Sequence, residues 1–184
     1  MLIVGIGGST GAVSSTNQLL RRCLEHAEAR GADTVAITGE QLADLPIYGA
    51  DATPELADGF VAAVRAADAV VIATPGYHGG MSGLVKNALD HLEALRDDPR
   101  PYLDGRAVGV IVGASGWQSC GTALVSVRSA IHALRGWPTP FGVTVNTVEQ
   151  RADDDGNFGE TVDGALRILA GQLVEFATAF SRLR

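Results

Sequence analysis

Short runs of Val, Ile, Leu and Ala alternate along the chain with longer segments in which apolar residues recur every three or four positions. The runs are typical of buried strands, and the longer spacing is typical of helices. The runs predict strands at Leu2–Ile6, Thr34–Thr38, Ala69–Thr74, Ala107–Val112 and Gly142–Asn146. The periodic segments predict one helix around Leu19–Ala27 and others at Glu55–Ala67, Leu84–Leu95, Ala123–Leu134 and Thr161–Leu183.

Regular alternation of strand and helix predicts a parallel sheet with helices on both faces. The strand at Ala69–Thr74 is almost continuously apolar, as a strand buried on both faces must be. We therefore expect a doubly wound α/β sandwich. We also expect residues 1–184 to form one domain, because the length fits one and no linker or internal repeat divides the chain.

Composition and charge argue against several classes of protein. A formal charge of −7 disfavours binding to nucleic acid or an anionic membrane. No apolar run approaches the ~20 residues of a membrane span, and the first residues lack a signal-peptide pattern, so we expect a cytoplasmic protein. Cys23 and Cys120 have no disulfide or zinc spacing. Asp153–Asn157 would need Arg151 as its first calcium ligand, so we expect a solvated turn and no metal there.

The first loop, Gly7–Asn17, carries five hydroxyl groups and no charged side chain. The helix that follows offers unpaired N–H groups and a partial positive charge, so a phosphate ester would bind there without Lys or Arg. The alternative is that Ser14, Ser15 or Thr16 only caps the helix. One cap needs one hydroxyl, and we therefore favour phosphate binding.

Spacing excludes two other phosphate motifs. Gly5-Ile6-Gly7 begins like the dinucleotide fingerprint GxGxxG, but Thr10 stands where the last glycine should be. The acidic ribose ligand expected after the second strand is also missing, apart from a displaced Glu40. A Walker loop needs Gly-Lys-Ser/Thr, and the chain's one lysine, Lys86, lies in a later helix.

The second loop, Thr74–Gly83, and the third loop, Gly113–Gln118, are rich in glycine and each contain an aromatic residue. In an open sheet of order 2-1-3-4-5, ligands bind outside the carboxyl ends of strands one and three, where the winding reverses. All three loops would lie along that edge. Together they predict a site for a flat ring with a phosphate tail, and FMN is such a ligand.

Several stretches resemble the NADPH-dependent FMN reductases: Gly8-Ser9 with Ser14, Asp44–Tyr48, and Thr74–Tyr77 through Ser82–Asp90. The resemblance is closest to reductases that serve sulfonate-type flavin monooxygenases. It implies a flavodoxin-like three-layer sandwich, with a five-stranded parallel sheet of order 2-1-3-4-5 and helices on both faces. It also implies an NAD(P)H-dependent FMN reductase with FMN and NADPH or NADH as cofactors, a partner monooxygenase, and a homodimer or homotetramer.

The resemblance implies cofactor-binding residues and no catalytic residue, because the flavin itself carries the hydride chemistry. By motif position, the phosphate would be held by Ser9, Ser14, Ser15 and Thr16. The flavin ring would lie on Pro75, Gly76, Tyr77, His78 and Gly79, with its other edge on Ser115 and Gly116.

The chain departs from the family pattern at three positions. Gly11 stands where many relatives carry Arg, and Gly76 stands where they carry an acid or Val. His78 stands where Asn is common, and it would contact the ring or substrate or simply make a loop hydrogen bond. Tyr77 and Trp117 lie in glycine-rich loops rather than on periodic faces, which favours a place in the site over one in the core.

The predicted helix Leu84–Leu95 has two further features. Lys86 and Asp90 are spaced for an ion pair one turn apart, or would serve a subunit interface. The apolar stripe of this helix is broader than one side of a sheet requires, which predicts a partner subunit on it.

The electron acceptor stays open, because a monooxygenase, a quinone, an azo compound and chromate would all use the same loops. A non-enzymatic flavodoxin-like electron carrier is disfavoured, since the three loops contain no Asp or Glu. A flavin-free module using the first loop for another ligand is a further alternative.

Overall fold

The computed structural model describes residues 1–11, 13–49, 54–153 and 156–182. Its strands are β1 (Leu2–Gly7), β2 (Asp33–Ile37), β3 (Ala69–Pro75), β4 (Ala107–Ala114), β5 (Trp137–Pro138) and β6 (Val143–Asn146). Its α-helices are α1 (Ser15–Glu28), α2 (Gly39–Ala43), α3 (Asp58–Ala66), α4 (Gly83–His91), α5 (Trp117–Ala133) and α6 (Glu160–Ser181). Short 3-10 segments, Pro54–Ala57 and Leu92–Leu95, adjoin α3 and α4.

The strands pair in parallel in the order β2-β1-β3-β4-β5, which confirms the predicted doubly wound sheet. The predicted strand Gly142–Asn146 is β6, which pairs with the end of β4. The extra strand β5 pairs with the beginning of β4 on the same edge, and the sequence did not predict it. Pro140 stands between β5 and β6 and has no N–H to continue the ladder, so the edge strand is interrupted.

Alternate residues of β3 lie in two different cores. Val70 and Ile72 pack with α3, α4 and α5 on one face of the sheet. Val71 and Ala73 pack with α1 and α6 on the other. Because successive side chains of a strand point to opposite faces, a strand covered on both sides must be apolar throughout. The three-layer arrangement is therefore as predicted.

The helix bounds differ from prediction where the apolar period is weak. α5 begins at Trp117, whereas the sequence predicted a start at Ala123. The first residues of this helix are mostly exposed and therefore show no apolar period. α2 was not predicted, because its five residues are too few to show an apolar period. The predicted helix Leu84–Leu95 is an α-helix to His91 and 3-10 beyond it. The predicted end of the last helix, Leu183, lies outside the described residues.

A buried carboxylate ties α6 to α1. Asp163 Oδ1 lies 2.5 Å from Arg22 Nε and 2.9 Å from His26 Nε2, and its Oδ2 lies 2.8 Å from Arg167 Nη2. The hydrogen bond from Arg22, with those from His26 and Arg167, holds the pKa of Asp163 well below its usual range against the opposing effect of burial. This charge cluster fixes the helix that carries the first loop.

Candidate functional site

The first, second and third loops begin side by side at the carboxyl edge of the sheet. The N–H of Gly8 donates to the carbonyl oxygen of Ala73, and that of Gly76 donates to Gly113, each at 2.8 Å. A side chain at Gly8 would bring its Cβ to 2.3 Å from Cγ2 of Val85, so glycine is required for the first loop to lie against α4. The loops meet where the strand order reverses, as predicted.

Ser14 is the N-cap of α1, and its Oγ accepts a hydrogen bond from the N–H of Asn17 at 3.2 Å. The capping alternative therefore holds for this one hydroxyl. The N–H groups of Ser15 and Thr16 have no partner among the described residues, as is usual in the first turn of a helix. This end of α1 thus presents free donors and the positive end of the helix dipole.

Asn17 is a site residue that the sequence analysis did not single out. Its Nδ2 donates to the carbonyl oxygen of Ser9 at 3.0 Å and so closes the first loop upon α1. Its Oδ1 is buried and has no partner among the described residues. The sequence signal that could have identified Asn17 is its position three residues after the N-cap Ser14.

The first cavity has a volume of about 400 Å³ and lies against the first loop. It is lined by Ser9, Thr10, Gly11, Val13, Ser14, Asn17, Gln18, Arg21, Thr38, Glu40 and Gly156. Ser9 and Ser14 are the predicted phosphate residues on its wall. The first loop itself carries no cation, but Arg21 of α1 also lines the cavity.

The other two predicted phosphate residues have different positions. Thr16 is buried, and a Cβ at Gly113 would lie 3.2 Å from its Oγ1, so this hydroxyl faces β4 rather than the first cavity. Ser15 is half-buried and is also absent from the cavity wall. Any contribution of these two residues to a phosphate site comes from their backbone N–H groups.

The second loop contains a tight turn at Tyr77–Gly80. Tyr77 and Gly80 form an isolated antiparallel bridge, and the turn between them has φ of +51° at His78 and +81° at Gly79. The left-handed region is costly for most side chains, and Asn, Asp and His are the residues that tolerate it best. His is therefore a residue that suits the left-handed backbone at position 78.

The third loop leads directly into α5, with Gly116 as the N-cap. The Oγ of Ser119 donates to the carbonyl oxygen of Gly76 at 2.9 Å and joins α5 to the second loop. A Cβ at Gly76 would lie 3.0 Å from that of Ala114, so this chain packs its second and third loops more closely than a side chain at position 76 would allow.

The second cavity, about 350 Å³ in volume, lies between the second loop and α5. It is lined by His78, Gly79, Gln118, Ser119 and Thr122. His78 and Gly79 are predicted ring-binding residues. Pro75, Gly76, Tyr77, Ser115 and Gly116 lie at the same edge of the sheet without lining either cavity.

Both aromatic residues of these loops are exposed and neither packs in the core. Tyr77 is 57% exposed and Trp117 is 50% exposed. The indole Nε1 of Trp117 donates to Glu149 Oε2 at 3.0 Å, which joins the start of α5 to the segment after β6. The two rings therefore present apolar surface beside the second cavity.

The apolar stripe of α4 and the following segment faces the core of its own chain. Val85, Ala88, Leu92 and Leu95 are fully buried, Leu89 is nearly so, and Leu84 is half-buried against the same core. The prediction of a surplus apolar face is therefore wrong, because α2 and α3 also pack on this side of the sheet. Lys86 forms the predicted ion pair with Asp90 at 2.7 Å, on the exposed side of α4.

The segment Asp44–Tyr48 is anchored on α4. The side chain of Asn87 accepts from the N–H of Tyr48 at 2.8 Å and donates to the carbonyl oxygen of Pro46 at 2.9 Å. His91 Nε2 also lies 2.8 Å from the Pro46 oxygen. Between these anchored residues, Ile47 is 83% exposed.

The two cysteines lie outside the site. Cys23 and Cys120 are buried and unpaired. Burial raises the pKa of the Cys23 thiol to about 12 and also raises that of Cys120. Neither thiol is suited to act as a nucleophile.

The residues at this edge fit FMN. Free helix N–H groups, the Ser9 and Ser14 hydroxyls and one guanidinium suit a phosphate ester, and the glycine-rich loops allow a flat ring to approach the backbone. A doubly wound sheet with this edge defines a flavodoxin-like flavoprotein. Within the residues that the structure describes, every helix is too short or too polar to span a membrane.

A sequence model of the NADPH-dependent FMN reductase family matches residues 1–150, and the chain belongs to that family. It is a flavin oxidoreductase that uses FMN and a nicotinamide nucleotide. It is 35% identical to a quinone reductase of Escherichia coli strain K12 over 157 residues, which cover 78% of this chain and 77% of that protein.

One further relative and one solved structure are also similar to this chain. An FMN-dependent NADPH-azoreductase of Staphylococcus haemolyticus is 36% identical over 93 residues, which cover 50% of this chain and 46% of that protein. A solved oxidoreductase structure from Corynebacterium diphtheriae has a TM-score of 0.77 at 21% identity and covers 97% of each chain. The structural likeness shows the fold alone.

Proposed function

We propose that this chain uses bound FMN to transfer electrons from NADPH or NADH to a quinone. The observation that carries the proposal is the edge of the sheet where three loops begin side by side: the first has a cavity with hydroxyls at the N-terminus of α1, and the other two are rich in glycine. The similarity to the E. coli quinone reductase supports a quinone as the acceptor. The exposed rings of Tyr77 and Trp117 would pack against a planar acceptor.

The chain's own residues would bind and orient the cofactor. Ser9, Ser14 and the N–H groups of Ser15 and Thr16 would hold the phosphate. The flavin ring would lie along Pro75–Gly79, with Ser115 and Gly116 at its other edge. When bound, FMN supplies the hydride chemistry, accepting a hydride from the nicotinamide and passing electrons on. The backbone N–H groups of His78 and Gly79, which have no partner among the described residues, would stabilise negative charge on the reduced ring.

Steady-state oxidation of NADPH and NADH tests the acceptor. The purified protein is given a catalytic amount of FMN and an excess of quinone, azo dye or chromate in separate reactions. We expect one hydroquinone for each nicotinamide oxidised, and faster turnover with quinone than with the other acceptors. Oxidation that stops after one equivalent of FMN, with no hydroquinone formed, would contradict the quinone proposal.

A second candidate is the supply of reduced FMN to a partner monooxygenase of the sulfonate type. Gly11 favours it, because the first loop itself has no guanidinium to retain the phosphate, and FMN would then exchange with solvent. Gel filtration of the FMN-loaded protein separates the candidates. Flavin that co-elutes with the protein supports the quinone reductase, and flavin lost from the protein supports the monooxygenase partner.

We further propose a homodimer or homotetramer in the cytoplasm. Ile47 and Tyr48 form an exposed apolar surface held on α4 by Asn87 and His91, and this surface is the proposed contact. Two unpaired thiols, Cys23 and Cys120, are compatible with a reducing compartment.

A further inference from the structure

Arg21 lies on the wall of the first cavity, on the same face of α1 as the cap. Four residues of the cavity wall form one stripe along this helix: Ser14, and then Asn17, Gln18 and Arg21, which follow it by three, four and seven positions. Arg21 is about 10 Å along the axis from Ser14, at ~1.5 Å per residue. Side chains on a helix lean toward its N-terminus, so the guanidinium extends back toward the first loop.

Arg21 differs from its neighbour in having no acidic partner among the described residues. Arg22 pairs with Glu25 and Asp163 and helps to hold α1 against α6. Arg21 lies on the exposed side of the same helix, where it lines the first cavity. Its charge is therefore available to a ligand there.

We propose that Arg21 binds the phosphate of FMN and supplies the positive charge that the first loop lacks at Gly11. This inference rests on the proposed FMN site. A phosphomonoester carries nearly two negative charges at pH 7, and the helix dipole offers the equivalent of only about half a positive charge. A guanidinium supplies a full charge and can bind two phosphate oxygens at once.

Two further residues of the cavity make the inference testable. A Cβ at Gly11 would lie 3.7 Å from Ser9 Oγ, an ordinary contact, so the backbone at position 11 accepts a residue with a side chain. Glu40 lines the same cavity with the opposite charge. Its removal should strengthen the binding of an anion, whereas removal of Arg21 should weaken it.

Fluorescence titration with FMN and with riboflavin provides the experiment, since riboflavin lacks only the phosphate. For Arg21→Gln we expect the Kd for FMN to rise about tenfold, by loss of one partly screened charge, and the Kd for riboflavin to stay unchanged. Adding Gly11→Arg to Arg21→Gln should restore FMN binding. Glu40→Gln should lower the Kd for FMN. Arg96→Gln, at the residue that follows the 3-10 segment Leu92–Leu95, controls for the change in net charge.

An equal loss of FMN and riboflavin binding in Arg21→Gln would overturn the inference, because it would show a structural effect. So would unchanged FMN binding in that variant while the wild type binds FMN. A wild type that binds neither flavin would instead overturn the proposed function and this inference together. Raising the salt concentration should shrink the effect of Arg21→Gln, since the charges are exposed to solvent.

Discussion

Tyr77 and Gly80 each donate a backbone N–H to the carbonyl oxygen of the other, and both bonds measure 3.0 Å. The two residues between them, His78 and Gly79, have positive φ, as a turn of type I′ requires. The second loop is therefore a rigid turn at the tip of β3, and it presents an imidazole to the second cavity.

The turn predicts that one substitution of His78 is destabilising and that another is neutral. His78→Val should lower the free energy of unfolding by about 1–2 kcal/mol, because a β-branched residue is strained at positive φ. His78→Asn should leave it nearly unchanged, since Asn tolerates this region. Urea unfolding of both variants checks the difference, and equal midpoints would contradict the turn geometry.

Ser14→Asp separates capping from phosphate binding. Aspartate is as good an N-cap as serine, so the circular dichroism spectrum and the unfolding midpoint should be retained. The added carboxylate lies on the wall of the first cavity and should weaken FMN binding about tenfold by repulsion. Riboflavin binding is the control and should change little. Unchanged FMN affinity would place the phosphate elsewhere.

Asp163 should make the fold sensitive to acid. Its pKa is lowered in the folded protein, chiefly by the hydrogen bond from Arg22, so its contribution is present above the ordinary pKa of an aspartate and is lost as the pH falls toward the folded value. Asp163→Asn should cost about 2 kcal/mol at pH 7 by leaving Arg22 without its buried partner. The stability gap between wild type and variant should stay constant near neutral pH, begin to narrow as the pH falls to the ordinary pKa of an aspartate, and go on narrowing into strong acid. A gap that closes near neutral pH would contradict this assignment.

The oligomer proposal is tested at Ile47 rather than in the core. Light scattering at micromolar concentration should give a mass near two or four times the 19.1 kDa of the chain. Ile47→Asp should lower that mass while the unfolding midpoint is retained, because the side chain is 83% exposed. A monomer at every concentration, or an oligomer indifferent to Ile47→Asp, would exclude this surface as the contact.

The strands and the loops at their ends could be predicted because they depend on local signals, whereas the strand order followed from the family resemblance. Continuous apolar runs such as the one in β3 identify strands buried on both faces, and glycine-rich loops at their ends identify the edge where ligands bind. β5 could not be predicted, because two residues show no period and the part of β4 with which they pair is distant in the sequence.

The missed residues of the site depend on packing that periodicity does not reveal. Arg21 belongs to the cavity because a polar stripe of α1 faces the end of β2 and the start of α2. The stripe on α4 was misassigned because the number of apolar residues that a helix buries depends on how many neighbours cover it. Here its own chain buries the stripe except for Leu84, which is half-buried. The sequence alone identifies the apolar stripe but not the elements that cover it.

The most direct test of the account is anaerobic mixing of the FMN-loaded protein with NADPH, and separately with NADH, while the visible absorption of the flavin is followed. The account predicts that the flavin bleaches with at least one of the two nucleotides and that its colour returns when a quinone is added, with one hydroquinone formed for each flavin. FMN that is bound to the protein and stays oxidised with both nucleotides would contradict it.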